Sequence, residues 1–329
     1  MLKANRISIP PERIGFAMLA IVADIAVIVL PVFGMVAVGY VAARTGLVSE
    51  KAADGLAEFV FSLSVPVLIF KTLSEAQLPH AQPWGYWIAY FTGAFFVFAL
   101  AMLAARKLFH RGPTEAVIHG FGAGQANTVF VGVPLILKAY GEQGAVPLFL
   151  LIAIHLPVMM AVATVLLEGS AGLSRATLLR LLKLLALNPI LVGIYAGGLA
   201  RVGGIQATGV PGQMVTLIAA AATPCALISL GLSLKRYGFR DDFPAAALIS
   251  FLKLIVHPAI VFLLTLVLAM PPVWAGVAVL FAAMPCGINS YLLAQRYGLA
   301  VGTSASAVSL STAVAVFTIA FWLYVLGVG

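Results

Sequence analysis

Pro31-Val-Phe-Gly-Met-Val-Ala-Val-Gly39-Tyr-Val-Ala42-Ala-Arg-Thr-Gly46 returns, in skeleton, as Pro189-Ile-Leu-Val-Gly-Ile-Tyr-Ala-Gly197-Gly-Leu-Ala200-Arg-Val-Gly-Gly204. The four numbered residues of each stretch lie 158 positions apart, as do Pro66 and Pro224, and Tyr140-Gly141 recurs 157 positions on as Tyr297-Gly298. Repetition at half the chain length constrains architecture more than any single motif. If each copy holds five membrane spans, the second must enter the bilayer from the opposite side. The outcome is an inverted repeat, a plan many secondary transporters use.

Composition agrees with a lipid solvent. Of 329 residues, 62% are hydrophobic and 9% charged, and the mean hydropathy is +1.09. A water-soluble chain of this length could not hide so much apolar surface. At ~20 residues per span, about ten helices fit. Long continuous apolar runs, rather than ~10-residue alternating segments, exclude a transmembrane β-barrel. The predicted class is an all-α membrane protein.

The net charge of +8 does not signal nucleic acid, because Lys and Arg are scattered through short loops. Cys225 and Cys286 lie in apolar segments without disulfide or metal-ligand spacing, so no metal site is expected. No Ser/His/Asp grouping and no phosphate-binding glycine loop is present; no enzyme and no cofactor are expected.

The apolar runs predict spans at 20–43, 53–72, 85–105, 116–139 and 144–167, then at 179–201, 214–234, 244–268, 273–295 and 302–326. Residues 1–19 read as an unstructured or interfacial N-terminal tail. A linker at 168–178 separates a first five-helix repeat (20–167) from a second (179–329). Counting span-edge residues, 13 of the 19 Lys and Arg follow odd-numbered spans and six lie on the other side. That excess marks the cytoplasmic face. Both termini are therefore predicted outside, against the opposing charge of Lys3, Arg6 and Arg13 in the tail.

Two spans carry residues that a helix in hydrocarbon should not contain unless they line a cavity. Span four reads Gly122-Ala-Gly-Gln125-Ala-Asn127-Thr128-Val-Phe-Val-Gly132-Val-Pro134, and span nine reads Met284-Pro285-Cys286-Gly287-Ile-Asn289-Ser290-Tyr291. Proline removes an amide donor and glycine lets a second backbone approach. A half-helix starting at such a break aims its positive end, with free N–H groups, at the membrane centre. Two such ends meeting would hold a carboxylate without a buried lysine. The candidate binding residues are Gln125, Asn127, Thr128, Pro134, Pro285, Asn289 and Ser290. The alternative is that these kinks only ease close packing. It weakens because both segments fall at corresponding places, although at the 157 spacing Asn289 aligns with Gly132.

Other polar residues carry less. Pro66 and Pro224, flanked by serines and threonines, read as structural kinks or as outer walls of the site. Hydroxyls from Thr303 to Thr312 make the last span either self-bonding or wet. Among intramembrane ionisable groups, Lys253 either neutralises substrate charge or snorkels to the cytoplasmic edge. His155 either relays protons or is a hydrogen-bonded structural histidine. The scarcity of carboxylates in spans four, five, nine and ten speaks against sodium coupling, while proton coupling stays open.

At these residues the chain resembles the auxin efflux carrier family, which includes bacterial malonate and malate carriers and PIN-type auxin exporters. The resemblance is carried by Leu30-Pro-Val-Phe, Gly39-Tyr40, Arg44-Thr-Gly-Leu, Val65-Pro-Val-Leu-Ile-Phe70, Asn127-Thr-Val-Phe-Val-Gly-Val-Pro134 and Asn188-Pro-Ile-Leu. In the second half it continues in Thr223-Pro-Cys-Ala-Leu-Ile-Ser-Leu-Gly-Leu-Ser-Leu234, Met284-Pro, Asn289-Ser, Ala294-Gln-Arg-Tyr-Gly298 and Ser311-Thr312. It implies ten helices in two inverted repeats, as in bile-acid:sodium symporters, with spans four and nine interrupted and crossing. It also implies a scaffold of helices 1, 2, 6 and 7, a mobile transport domain of helices 3–5 and 8–10, and a homodimer through the scaffold.

The function expected is a secondary carrier in a cytoplasmic membrane for an organic-acid anion such as malonate, malate or an auxin-like carboxylate. The rivals are a sodium-coupled symporter of the bile-acid type and a non-transporting receptor or assembly subunit.

Overall fold

The computed structural model describes residues 11–76, 84–168, 179, 183, 186–238 and 242–328, with only the backbone over 11–19. Among these the chain is helical, and its one β feature is an isolated bridge. The helices are α1 (Pro11–Arg44), α2 (Glu50–Glu75), α3 (Trp84–Lys107), α4 (Pro113–Gly124), α5 (Val133–Tyr140) and α6 (Ala145–Glu168). They continue as α7 (Pro189–Val202), α8 (Gly209–Tyr237), α9 (Phe243–Val267), α10 (Pro272–Ala283), α11 (Ile288–Tyr297) and α12 (Val301–Val325). Seven helical stretches are long and apolar enough to cross a membrane, one of them running through both α5 and α6. Between these two, a tight turn at Gly141–Gly144 reverses the chain, with Gly141 at φ +56°. Glycine takes that conformation without the Cβ penalty.

One expectation gains detail and another needs correction. Within the expected unstructured or interfacial tail, residues 11–19 are helical and lead from Pro11 into α1; proline's fixed φ suits an early helical position and the following residues propagate the turn. The uninterrupted span expected at 179–201 is broken: α7 begins only at Pro189, after a turn at Leu187. Proline disfavours helix in the residue before it, and Asn188 caps the new start, its Oδ1 accepting the Ile190 N–H at 2.9 Å. The repeat partners Pro31 and Pro189 thus differ, one inside a helix and one opening it. Of the expected tail and linker, residues 1–10 and 169–178 lie outside the described residues.

Three π-helical turns, Val60–Ser64, Thr128–Gly132 and Leu252–Val256, each end two residues before a proline, namely Pro66, Pro134 and Pro258. The ring would strike the carbonyl four residues back, and widening the preceding turn relieves it.

Glycines set the closest helix contacts. α1 lies on α8 where Gly39 meets the Ile228 backbone and Gly231 meets that of Val36. α2 lies on α7 where Gly193 meets the Pro66 backbone and Gly197 that of Phe70. A Cβ at any of these would collide, so small residues let the backbones touch, as membrane helices commonly require. Elsewhere α3 packs on α4 and α9, and the first part of α9 packs on α12. Large apolar side chains such as Leu30, Leu199, Leu217 and Phe317 point outward, as lipid contact demands.

Candidate functional site

α10 stops at Ala283 because Met284 precedes Pro285 and is driven into extended backbone (φ −61°, ψ 148°). α4, ending in Gly120, Gly122 and Gly124, stops at an equally extended Gln125 (φ −88°, ψ 128°). The two extended segments pair antiparallel, Ala126 opposite Cys286. The Asn127 N–H donates to the Pro285 carbonyl at 2.9 Å, and the Gly287 N–H donates to the Gln125 carbonyl at 3.1 Å.

Without water, each remaining amide needs a partner. The Ala126 N–H donates to His155 Nε2 on α6 at 3.2 Å, and the Cys286 N–H donates to Ser311 Oγ on α12 at 3.0 Å. Because Nε2 accepts, the neutral His155 ring carries its proton on Nδ1, which faces Tyr90 Oη at 3.0 Å. Gly287 must be glycine here: a Cβ would run into Gln125 Oε1.

Beyond the crossing the chain turns helical again, at Thr128 leading into α5 and at Ile288 opening α11. The first amides of a helix lack internal partners, and both amino ends line one cavity of about 1000 Å³. Ala126, Asn127, Thr128, Gly287, Ile288 and Asn289 form its deep end. Phe61, Ile152, Leu156 and Met160 form apolar walls, and Ser233, Tyr237, Tyr291 and Gln295 add polar groups. Asp54, Lys183 and Arg236 also border it, Arg236 being held by Asp54 at 2.8 Å.

Of the residues singled out from sequence, Asn127, Thr128 and Asn289 line this cavity. Asn127 is 3% exposed and its Nδ2 meets no acceptor among the described residues. Gln125, Pro285 and Ser290 build the crossing instead, Ser290 Oγ donating to the Gly287 carbonyl at 2.7 Å. Pro134 is buried behind its π-turn, and Pro66 and Pro224 shape α2 and α8 without reaching the cavity wall. His155 holds the first crossing strand from behind. Lys253 neither borders the cavity nor snorkels: it is fully buried with Nζ 2.6 Å from the Ala282 carbonyl.

Sequence reasoning passed over Ser311 as a partner of Cys286, and Tyr90 altogether. The available signal was position: His155 and Ser311 each lie in the apolar helix that follows a break. Of the other cavity groups, Ser233 entered only as a neighbour of Pro224, Tyr291 as the end of the span-nine break and Gln295 through the family resemblance, while Tyr237, an ordinary member of a helical run, gave no signal.

Multi-pass apolar helices that break, pair their breaks and frame a deep cavity define a membrane transport protein. The chain belongs to the membrane transport protein family, the auxin efflux carriers, whose family model matches residues 24–323. It is 29% identical over 315 residues to the "Putative malonate transporter" of Rhizobium meliloti, covering 93% of this chain and 97% of that one. It is 27% identical over 305 residues to an "Uncharacterized transporter" of Methanothermobacter thermautotrophicus, at 91% and 97% coverage. With the "Uncharacterized transporter YfdV" of Escherichia coli K12 it shares 23% over 307 residues, at 90% and 96% coverage.

Proposed function

We propose that this chain is a secondary carrier for a small organic-acid anion, a malonate-like carboxylate foremost, bound at the deep end of the cavity. The observation that carries the reading is the buried Asn127 Nδ2, a donor without a partner among the described residues, between two helix amino ends. Each amino end attracts an anion by ~0.3–2 kcal/mol, and a hydrogen bond to a charged acceptor adds about 1.5–3 kcal/mol. Such a sum retains a carboxylate yet lets it leave. The name of the relative from Rhizobium meliloti adds malonate as the first acid to try.

The moving parts follow from the packing. The antiparallel bridge relates Ala126 to Cys286 by a local two-fold axis, and the glycine contacts of α1 on α8 and of α2 on α7 answer one another in the same sense. These support ten spans in two inverted repeats. In this reading α1, α2, α7 and α8 are the scaffold, while α3–α6 and α9–α12 carry the crossing past it. Lys183 and Arg236 border the cavity on the side where Lys and Arg accumulate, so this conformation opens toward the cytoplasm.

The test is counterflow of radiolabelled malonate in liposomes containing only this protein, alongside a panel of mono- and dicarboxylates. Saturable exchange that external malonate accelerates is the expected result. Absence of exchange with every acid in the panel, from protein that is folded and inserted, overturns the reading.

A further inference from the structure

The crossing has a second face. Toward the cavity it presents helix amino ends; behind it lie the carboxyl ends of α4 and α10, whose last carbonyls carry the negative poles of their helices. Carriers built on broken helices hold cations at carbonyls of this kind. Here the place is filled from within the chain.

Lys253 sits in the π-turn Leu252–Val256, which packs against both α4 and α10. Its side chain is fully buried, and Nζ donates to the carbonyl of Ala282, in the last turn of α10, at 2.6 Å. That carbonyl belongs to the negative end of its helix. Nζ also lies 3.1 Å from His257 Nδ1, one turn along α9. Among the described residues Lys253 has no carboxylate partner; the ion pairs found involve Lys71, Arg111 and Arg236. The neighbouring titratable groups are Tyr90, His155, His257 and Cys286. None of these supplies a countercharge in its ordinary form near neutral pH. A buried ammonium is costly unless something answers it, and what answers Lys253 is a helix end.

We propose that Lys253 is a cation built into the carrier: its ammonium takes the place an inorganic cation would occupy at the carboxyl ends of the interrupted helices. The crossing is therefore held closed without sodium, and the cation travels with the protein rather than with the substrate. The π-turn matters to this, because the widened turn before Pro258 sets Lys253 and His257 side by side against α10. The inference deepens the carrier reading and rests on the crossing being its working part.

The test uses purified full-length protein and two readouts, the thermal unfolding midpoint in detergent and malonate counterflow in liposomes. Wild type should give the same midpoint and the same counterflow in sodium, potassium and choline chloride. Lys253→Ala should lower the midpoint and cut counterflow about tenfold or more, the size of one charged hydrogen bond. Ethylammonium, which fits the vacated space and donates N–H bonds, should restore part of both; tetramethylammonium, which donates none, should not. Lys253→Met, equal in bulk but uncharged, should stay impaired. Wild-type dependence on sodium overturns the proposal, and that arm needs no variant to fold. So does a Lys253→Met protein that matches wild type, or a folded Lys253→Ala protein indifferent to every small cation. Midpoint rescue by ethylammonium without counterflow of any acid by wild type upholds the cation site while refuting the carrier reading.

Discussion

Asn127→Ala should move ligand binding and stability in different directions. Asn127 borders the cavity, and its side-chain amide nitrogen is buried and finds no acceptor among the described residues. A hydrogen bond from it to a carboxylate is worth about 1.5–3 kcal/mol. At ~1.4 kcal/mol per tenfold, the variant should bind its acid roughly 10- to 100-fold more weakly. Without ligand, that unpartnered donor costs about 1–3 kcal/mol of desolvation, which alanine removes. The unfolding midpoint should therefore hold or rise. The backbone of residue 127 keeps its own bonds, the N–H to Pro285 and the carbonyl to the Gly132 N–H at 3.1 Å, so the crossing survives. Calorimetric titration of malonate into detergent-purified protein, with a melting curve of each variant, reads both quantities. An unchanged dissociation constant in a folded variant would refute the reasoning. A fall of several degrees in midpoint would refute it differently, by exposing Asn127 as a structural tie. Adding Asn289→Ala should weaken binding further, and wild-type transport by the folded double variant would remove the site.

Three more outcomes follow from the same contacts. His155→Leu leaves the Ala126 N–H without its acceptor and Tyr90 Oη without its contact. At ~1–3 kcal/mol for each of the two buried groups, unfolding free energy should fall by roughly 2–6 kcal/mol; a variant as stable as wild type would show that the crossing does not need its rear support. Gly287→Ala should abolish stable folding or transport through collision with Gln125, and adding Gln125→Ala should recover part of it, since the Ala126 carbonyl 2.9 Å away remains tight. Asp242 Oδ2 accepts from Arg111 and Thr303, each at 2.8 Å, and so ties the entry to α4 to the first turn of α12. Asp242→Ala should lower stability by ~1–2 kcal/mol, with a smaller difference from wild type at high salt; equal differences at low and high salt would count against an ionic tie.

The breaks were legible in one dimension because hydrocarbon forbids Pro, Gly and Asn to gather inside a span without a reason. Gly122 to Pro134 and Met284 to Ser290 therefore announced themselves. Which of their residues would face a cavity was not legible, since Gln125 and Asn127 are two positions apart in extended backbone and one builds the crossing while the other borders the space. The repeat also misled in register. Pairing at 157 sets Asn289 against Gly132, whereas the bridge relates Ala126 to Cys286, 160 positions on. Small differences in segment length, harmless in lipid, had accumulated between Pro66 and the break. The contact of Lys253 was hidden for another reason: its acceptor, Ala282, is a backbone carbonyl 29 residues away, and no side-chain pattern advertises a carbonyl. The same holds for His155, whose partner is the amide of an alanine.

The two-bond ladder at the crossing makes each portion of the chain the missing piece of the other. Until Pro285 and Gly287 have been synthesised and threaded into the bilayer, the donor on Asn127 and the acceptor on Gln125 stand open in oil. A newborn chain halted anywhere before that point is unfinished in a place no solvent can mend, so the insertion machinery must shelter it while most of the polypeptide emerges. Separately expressed fragments should for the same reason be degraded alone and rescued together.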